Sequence, residues 1–251
     1  MKVIKGVGRT DGFTLIEILV ALFISLVVLA AIYVSMSSAY RSTTGVERKI
    51  AAQQDVRAAL DIMAMEISMA SYNPNFIPDG IWKTPPNGSS NPCAAASSHQ
   101  TWKGIQEATP TSITVQMDIG ESNNIGDNPN EIIRYSFDAP NESVFRNSNC
   151  GGDVSFLGDI TGAPAGTRTV RVINNTLAIQ NGNQVPAVFR YFDSKDPATE
   201  LYPDIAPSDI PNIRRIDITL GVETEDADPN TGQRKRMIYS TSVLVRNHVS
   251  N

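Results

Sequence analysis

Histidine and cysteine are scarce in this chain, with two of each among 251 residues. His99 and His248 stand isolated, and Cys93 and Cys150 make no metal-ligating cluster, so no zinc-type spacing is present. There is no G-x-S-x-G elbow and no glycine-rich phosphate loop. Catalysis therefore has no recognisable motif, and the chain reads as a structural protein without a cofactor. Runs of Lys or Arg interleaved with aromatics are also missing, and the net charge is −5. An acidic surface repels phosphate backbones, which argues against a nucleic-acid partner. Of fifteen prolines none precedes Pro74, so nothing of that kind breaks a helix in the first 73 residues.

Uncharged apolar residues, by contrast, are concentrated at one end. GFTLIEILVALFISLVVLAAIYVSM, Gly12 to Met36, is interrupted by a single ionisable residue, Glu17. As a helix rising ~1.5 Å per residue, Phe13 to Met36 exceeds the roughly 30 Å hydrocarbon core of a bilayer. A carboxylate deep in such a span costs about 2.5–3.5 kcal/mol, so Glu17 calls for a partner or a purpose. Lys2, Lys5 and Arg9 against Asp11 give the first twelve residues a charge of +2, leaving −7 for the remainder of a chain at −5. Positive charge ahead of the span places the N-terminus in the cytoplasm and everything after about residue 40 on the far side. In an oxidising compartment Cys93 and Cys150 are expected to form a disulfide, the alternative being two unrelated thiols.

Three readings of this end compete. A cleaved secretory signal would need a shorter apolar core, about 7–15 residues, although Ser37 and Ala39 imitate its cleavage site. A plain anchor leaves Glu17 unexplained. The third reading rests on G-F-T-L-I-E, Gly12 to Glu17, between a polar basic leader and an unbroken apolar run. That combination resembles the class III signal of type IV pilins and type II secretion pseudopilins. The resemblance implies that a prepilin peptidase cuts between Gly12 and Phe13, that Phe13 is N-methylated, and that Glu17 becomes the fifth residue of the mature chain. The new amine at Phe13 then supplies the cation that Glu17 lacks, in a neighbouring subunit of a dry helical bundle, where the pair reports axial register.

Beyond the span, Val46, Ile50, Val56, Leu60, Met63 and Ile67 recur at helical spacing, with Ala58, Ile62, Met65 and Met69 on a neighbouring stripe. This predicts one helix from Phe13 to about Ser71, weakest at Gly45, whose lower half packs on a folded head. After Tyr72 come Pro, Asn, Ser and Gly, then strand-like runs near 112–118, 131–137, 168–173, 187–192, 213–223 and 234–246. The last two should form a hairpin around TEDADPNTGQ. The expected fold is α+β, a long N-terminal helix laid on an antiparallel sheet. The domain reading is a leader at 1–12, a span at 13–36, an amphipathic continuation at 37–71 and a β-rich head at 72–251.

DVRAALDIMAMEISMASYNP, VFRYFD and STSVLVRN resemble PilW-type minor pilins and pseudopilin J. The resemblance implies a minor pilin that primes assembly and caps the filament tip. Its partners would be the prepilin peptidase, other minor and major pilins, the inner-membrane assembly platform and the inner membrane itself, with the head periplasmic and later extracellular. A pseudopilin of the type II secretion system and a tip adhesin using loops 74–110 and 193–212 are the alternatives. DADPNTG offers oxygens at Asp226, Asp228 and Asn230 as a calcium loop does, but its glycine falls one place late and Met237 stands where a glutamate is needed.

Overall fold

The structure, a computed structural model, describes residues 12–77, 81–83, 103–159, 168–175, 187–195, 197–201 and 209–248. The basic leader residues, Cys93 and much of the two expected loops lie outside them.

One helix, α1 (Leu15–Ser68), runs for 54 residues, about 81 Å at the standard rise. It stays regular through Gly45: the Thr43 and Thr44 hydroxyls bond back to the carbonyls of Ala39 and Tyr40, and Gly45 lies against the Asp228 side chain. Only its second half is covered. The buried residues are Ala52, Val56, Ala59, Leu60, Met63 and Ile67, spaced to fall on one face. Val46 and Ile50, expected on that face, are exposed: beside them the head reaches α1 only through the β9–β10 turn, which meets Gly45 and Arg48. The helix ends three residues before the expected Ser71. Ser71 itself adopts positive φ, and its amide donates to the carbonyl of Gln116, which turns the chain into the head.

The head holds two antiparallel five-stranded sheets rather than the single sheet anticipated. The first is a meander of β1 (Ile105–Ala108), β2 (Ser112–Gln116), β3 (Ile132–Asp138), β4 (Ser143–Ser148) and β5 (Asp153–Leu157). The second places β10 (Arg236–Leu244), β9 (Arg215–Thr224), β7 (Phe189–Phe192) and β8 (Glu200–Leu201) side by side, with β6 (Val170–Val172) also paired to β9. The expected hairpin is β9–β10, in unbroken register from Arg236↔Glu223 to Leu244↔Arg215. Ile216, Ile218, Leu220 and Val222 alternate on β9 and are buried, as period-two patterning requires. β1 and β8 fall inside the segments read as loops 74–110 and 193–212, and β4 and β5 were not anticipated. SVFRNS and DVSFL are short and half-exposed, and each carries its strand signal only once its neighbour is in place.

A single core joins α1 to both sheets, with Met63, Ile67, Tyr135, Phe189 and Ile218 among its members. Polar ties reinforce the junction. Arg168 and Arg171 each bridge Glu142 of the β3–β4 turn and Glu225 beyond β9, at 2.8–3.2 Å. The Tyr191 hydroxyl on β7 donates to the carbonyls of Thr109 and Ser112 in the first sheet.

Candidate functional site: the helix N-terminus and its exposed apolar surface

Thr14, with extended φ and ψ, is the N-cap of α1. Its hydroxyl accepts from the Glu17 amide at 3.3 Å, and the Glu17 carboxylate accepts in return from the Thr14 amide at 2.8 Å and hydroxyl at 2.9 Å. This is a complete capping box. The T-x-x-E spacing that forms it stands in the sequence as Thr14–Glu17. The spacing marks the helix start, a local role for Glu17 separate from its charge. Two consequences follow for an apolar segment. The amides of Thr14 and Glu17, which have no intrahelical acceptor, each gain one. The carboxylate is also held beside the positive end of the helix dipole, next to the backbone of Phe13 and Thr14.

Phe13 and Gly12 precede the cap and are exposed, Phe13 at 86%. The Gly12–Phe13 bond thus lies ahead of the helix, one residue short of the cap. Glu17, Ala21 and Ser25 follow at four-residue steps on one face, and the Ser25 hydroxyl donates to the Ala21 carbonyl at 2.7 Å, so it brings no unsatisfied donor into an apolar medium. From Leu15 to Met36 every large apolar side chain is more than half exposed, and the most apolar stretch of α1 is long enough to cross a membrane. A surface of this kind needs lipid or neighbouring protein around it.

The calcium candidates are arranged otherwise. In the β9–β10 turn Asp226 faces Arg48 at 3.4 Å and Asp228 faces Lys235 at 3.2 Å, while Asn230 is engaged through its backbone amide, which donates to Asp228 at 2.8 Å. The Arg48 guanidinium also donates to the Ala227 carbonyl at 3.0 Å. Asp226 thus ties the hairpin tip to α1 through Arg48, while Asp228 is paired within the hairpin. Among the described residues no three His, Cys, Asp or Glu side chains gather as a metal site. Cys150, at positive φ after β4, is not a free thiol. Its expected partner Cys93 lies outside the described residues.

Two features of the head escaped sequence reasoning. His248 is fully buried, with Nδ1 2.7 Å from the Ser71 hydroxyl and Nε2 2.8 Å from the Ile210 carbonyl, and burial pushes its pKa down to about 4. Glu66, on α1, accepts from Arg146 at 2.7 and 3.1 Å and from the Tyr135 hydroxyl, locking the helix to the first sheet. Neither has a sequence signal, since the partners lie from 38 to 177 residues away.

Neither a curated protein nor a solved structure matches the chain. Residues 9–33 match the prokaryotic N-terminal methylation motif, which spans the basic end of the leader, the Gly12–Phe13 junction, the capping box and the apolar helix. The chain thus carries at its N-terminus the class III signal of type IV pilins, which supports a pilin- or pseudopilin-type precursor anchored by one apolar helix.

Proposed function

We propose that this protein is a minor pilin, cut between Gly12 and Phe13 by a prepilin peptidase, N-methylated on Phe13, and assembled with other minor and major pilins on an inner-membrane platform to prime a type IV pilus. The observation that carries the reading is that one unkinked helix serves two surroundings. Its first half is bare and apolar, and its second half is packed into a head. Such a rod moves from bilayer to filament without refolding. The head exports to the periplasm and then the cell surface. A mature chain of 239 residues, from Phe13 onward, favours a low-copy or tip position over a repeating shaft.

Glu17 holds two roles in this account. In the single chain its carboxylate closes the capping box, and in the bundle it receives the Phe13 amine of a neighbour. The two roles separate by substitution. Glu17→Gln keeps an acceptor for the Thr14 amide and removes the charge, whereas Glu17→Ala removes both. Both variants should be processed and remain in the membrane, because removing the charge lowers the insertion cost. Both should enter sheared filaments or the priming complex at least about tenfold less well, since an orphaned amine in a dry interior is strongly disfavoured. Wild-type incorporation of Glu17→Gln together with loss for Glu17→Ala would reduce the glutamate to a helix cap. Mass spectrometry of the same material should show a mature N-terminus at Phe13, and a terminus near Tyr40 would return the chain to simple secretion.

A further inference from the structure

β1, β5, β8 and β10 close the two sheets at their ends, and the first three are blunted. β1 and β5 are four and five residues long and each meets its neighbour with a register shift, while β8 has two residues. Short or irregular edges of this kind resist pairing with another chain. β10 is built otherwise. It is nine residues long and pairs with β9 in unbroken register. From Met237 to Leu244 it contains no proline, glycine or charged residue.

Hydrogen bonds at the two ends of the hairpin determine which backbone groups this edge leaves over. The Thr224 amide donates to the Lys235 carbonyl and the Val245 amide to the Arg214 carbonyl, both at 3.0 Å. Bonded and non-bonded pairs alternate along an antiparallel ladder, so the odd-numbered residues of β10 direct their amides and carbonyls to β9. Arg236, Ile238, Ser240, Ser242 and Leu244 turn theirs outward, where no other strand meets them among the described residues. The side chains of these same residues are exposed, Ile238 at 60% and Leu244 at 56%. Odd-numbered side chains face α1 and the core, with the Arg57 guanidinium 5.9 Å from the Tyr239 ring. Both ends of the edge carry surplus positive charge. Arg234 and Arg236 share the one carboxylate of Glu223, at 3.8 and 3.2 Å, and exposed Arg246 pairs with no carboxylate among the described residues.

We propose that the free edge of β10 receives an extended segment of another protein as an added strand, one whose alternate residues are apolar and whose ends carry carboxylates. Main-chain hydrogen bonds to the outward amides and carbonyls supply the attachment, and Ile238 and Leu244 select apolar side chains on the outer face. Carboxylates at the ends of the segment meet the arginines and set its register. A second copy of this chain does not fit. α1 and β10 run the same way, because the hairpin tip meets Arg48, Tyr239 meets Arg57 and His248 meets Ser71. Antiparallel pairing of two β10 strands would therefore point their apolar helices in opposite directions, which anchorage in one membrane excludes. Parallel pairing in register would set Arg236 beside Arg236 and Arg246 beside Arg246, and like charges so placed repel.

The test uses the full-length protein in detergent. The probe is a fluorescein-labelled peptide as long as β10, of alternating valine and threonine with glutamates at both ends. Fluorescence anisotropy should show saturable binding that weakens with added salt. Amide exchange should slow at Ile238, Ser240 and Ser242 and stay unchanged at Val154 on β5. The same peptide N-methylated at alternate residues cannot complete the ladder, and it should bind about tenfold or more weakly. A peptide with lysines in place of the glutamates should lose a similar factor. Ser240→Pro removes an amide that β9 does not use, so it should leave the thermal midpoint close to that of the wild type and weaken the peptide about tenfold or more. Ile238→Lys, at an exposed position, gives the same reading should the proline variant fail to fold. No binding, equal binding of the N-methylated peptide, or slowed exchange away from β10 would each overturn strand addition. Equal binding of the lysine-ended peptide would overturn the acidic-ended segment. Sedimentation showing a dimer that Ser240→Pro dissolves would overturn the foreign strand in favour of a second copy.

Discussion

Glu66→Ala should be among the most damaging single substitutions in the head, and the structure sets the scale. The Glu66 side chain is 14% exposed and Arg146 21%, and they meet through two hydrogen bonds of 2.7 and 3.1 Å. The Tyr135 hydroxyl, on a ring that is fully buried and packed edge-on to Phe156 at 5.1 Å, donates to the same carboxylate. Burial and the Glu66 carboxylate hold the Tyr135 phenol far above its ordinary pKa, and the hydrogen bonds that Arg146 donates to Glu66 raise its own. Both partners therefore keep their protons at every working pH. Alanine leaves a guanidinium and a phenol facing an empty site. Breaking a buried pair from one side costs about 3–5 kcal/mol. Arg146 retains Asn130 as a partner at 2.8 Å, which favours the lower end. At roughly 2–4 °C per kcal/mol for a head of this size, the thermal midpoint should fall by about 6–20 °C. Glu200→Ala is the internal control. Its partner Arg190 is 46% exposed, and such pairs contribute about 0–1 kcal/mol. Urea and thermal unfolding of the full-length protein in detergent, followed by near-ultraviolet circular dichroism, would read both, and a Glu66→Ala, Arg146→Ala double-mutant cycle would isolate the pair. If Glu66→Ala costs less than Glu200→Ala, the helix is not held to the first sheet by this clamp.

His248 is buried and neutral, with its pKa lowered to about 4 by burial first, and by Arg214 and Lys103 second. The unfolded chain binds its proton below about pH 6.5. The stability it contributes is therefore complete above pH 6.5 and lost as pH falls toward 4, by up to about 3 kcal/mol. Unfolding midpoints measured from pH 7 to 5 should decline, and His248→Gln should flatten that decline if the protein still folds. Gly104 has φ +149°, and a Cβ there would lie 2.5 Å from the Ser71 amide nitrogen and 2.7 Å from the Gln116 carbonyl oxygen. Gly104→Ala should consequently cost about 1–3 kcal/mol, visible as a lowered thermal midpoint. Cys93 and Cys150 are expected to resist thiol labelling in the exported protein until a reductant is added. Closing the 58-residue loop from Cys93 to Cys150 should stabilise by roughly 4 kcal/mol. Labelling without reductant would dismiss the bridge.

The N-terminal helix of this protein is legible from residues alone because its determinants are local. Apolar run length, the absence of proline before Pro74 and the spacing of Val56, Leu60, Met63 and Ile67 each act within a turn or two of helix, and α1 follows them to within a few residues. The same holds for β9 and β10, where alternation and a polar turn specify a hairpin. Division of the head into two sheets was decided elsewhere, by pairings such as β4 with β5 and by the Arg168, Arg171, Glu142 and Glu225 network that joins the sheets. Buried acids in the turn after β2 show the same dependence. Asp118 accepts from the amides of Ser122 and Asn123, and Glu131 from those of Gly120, Gly126 and Asn128, so a stretch that reads as polar loop is an ordered shell around two carboxylates. The sequence by itself determined that there is an apolar rod with a capped, charged start. Only the tertiary structure decided which of its two apolar rows is covered. Periodicity records that Ile62 and Met65 share a face, whereas burial depends on where β5 and β9 come to rest.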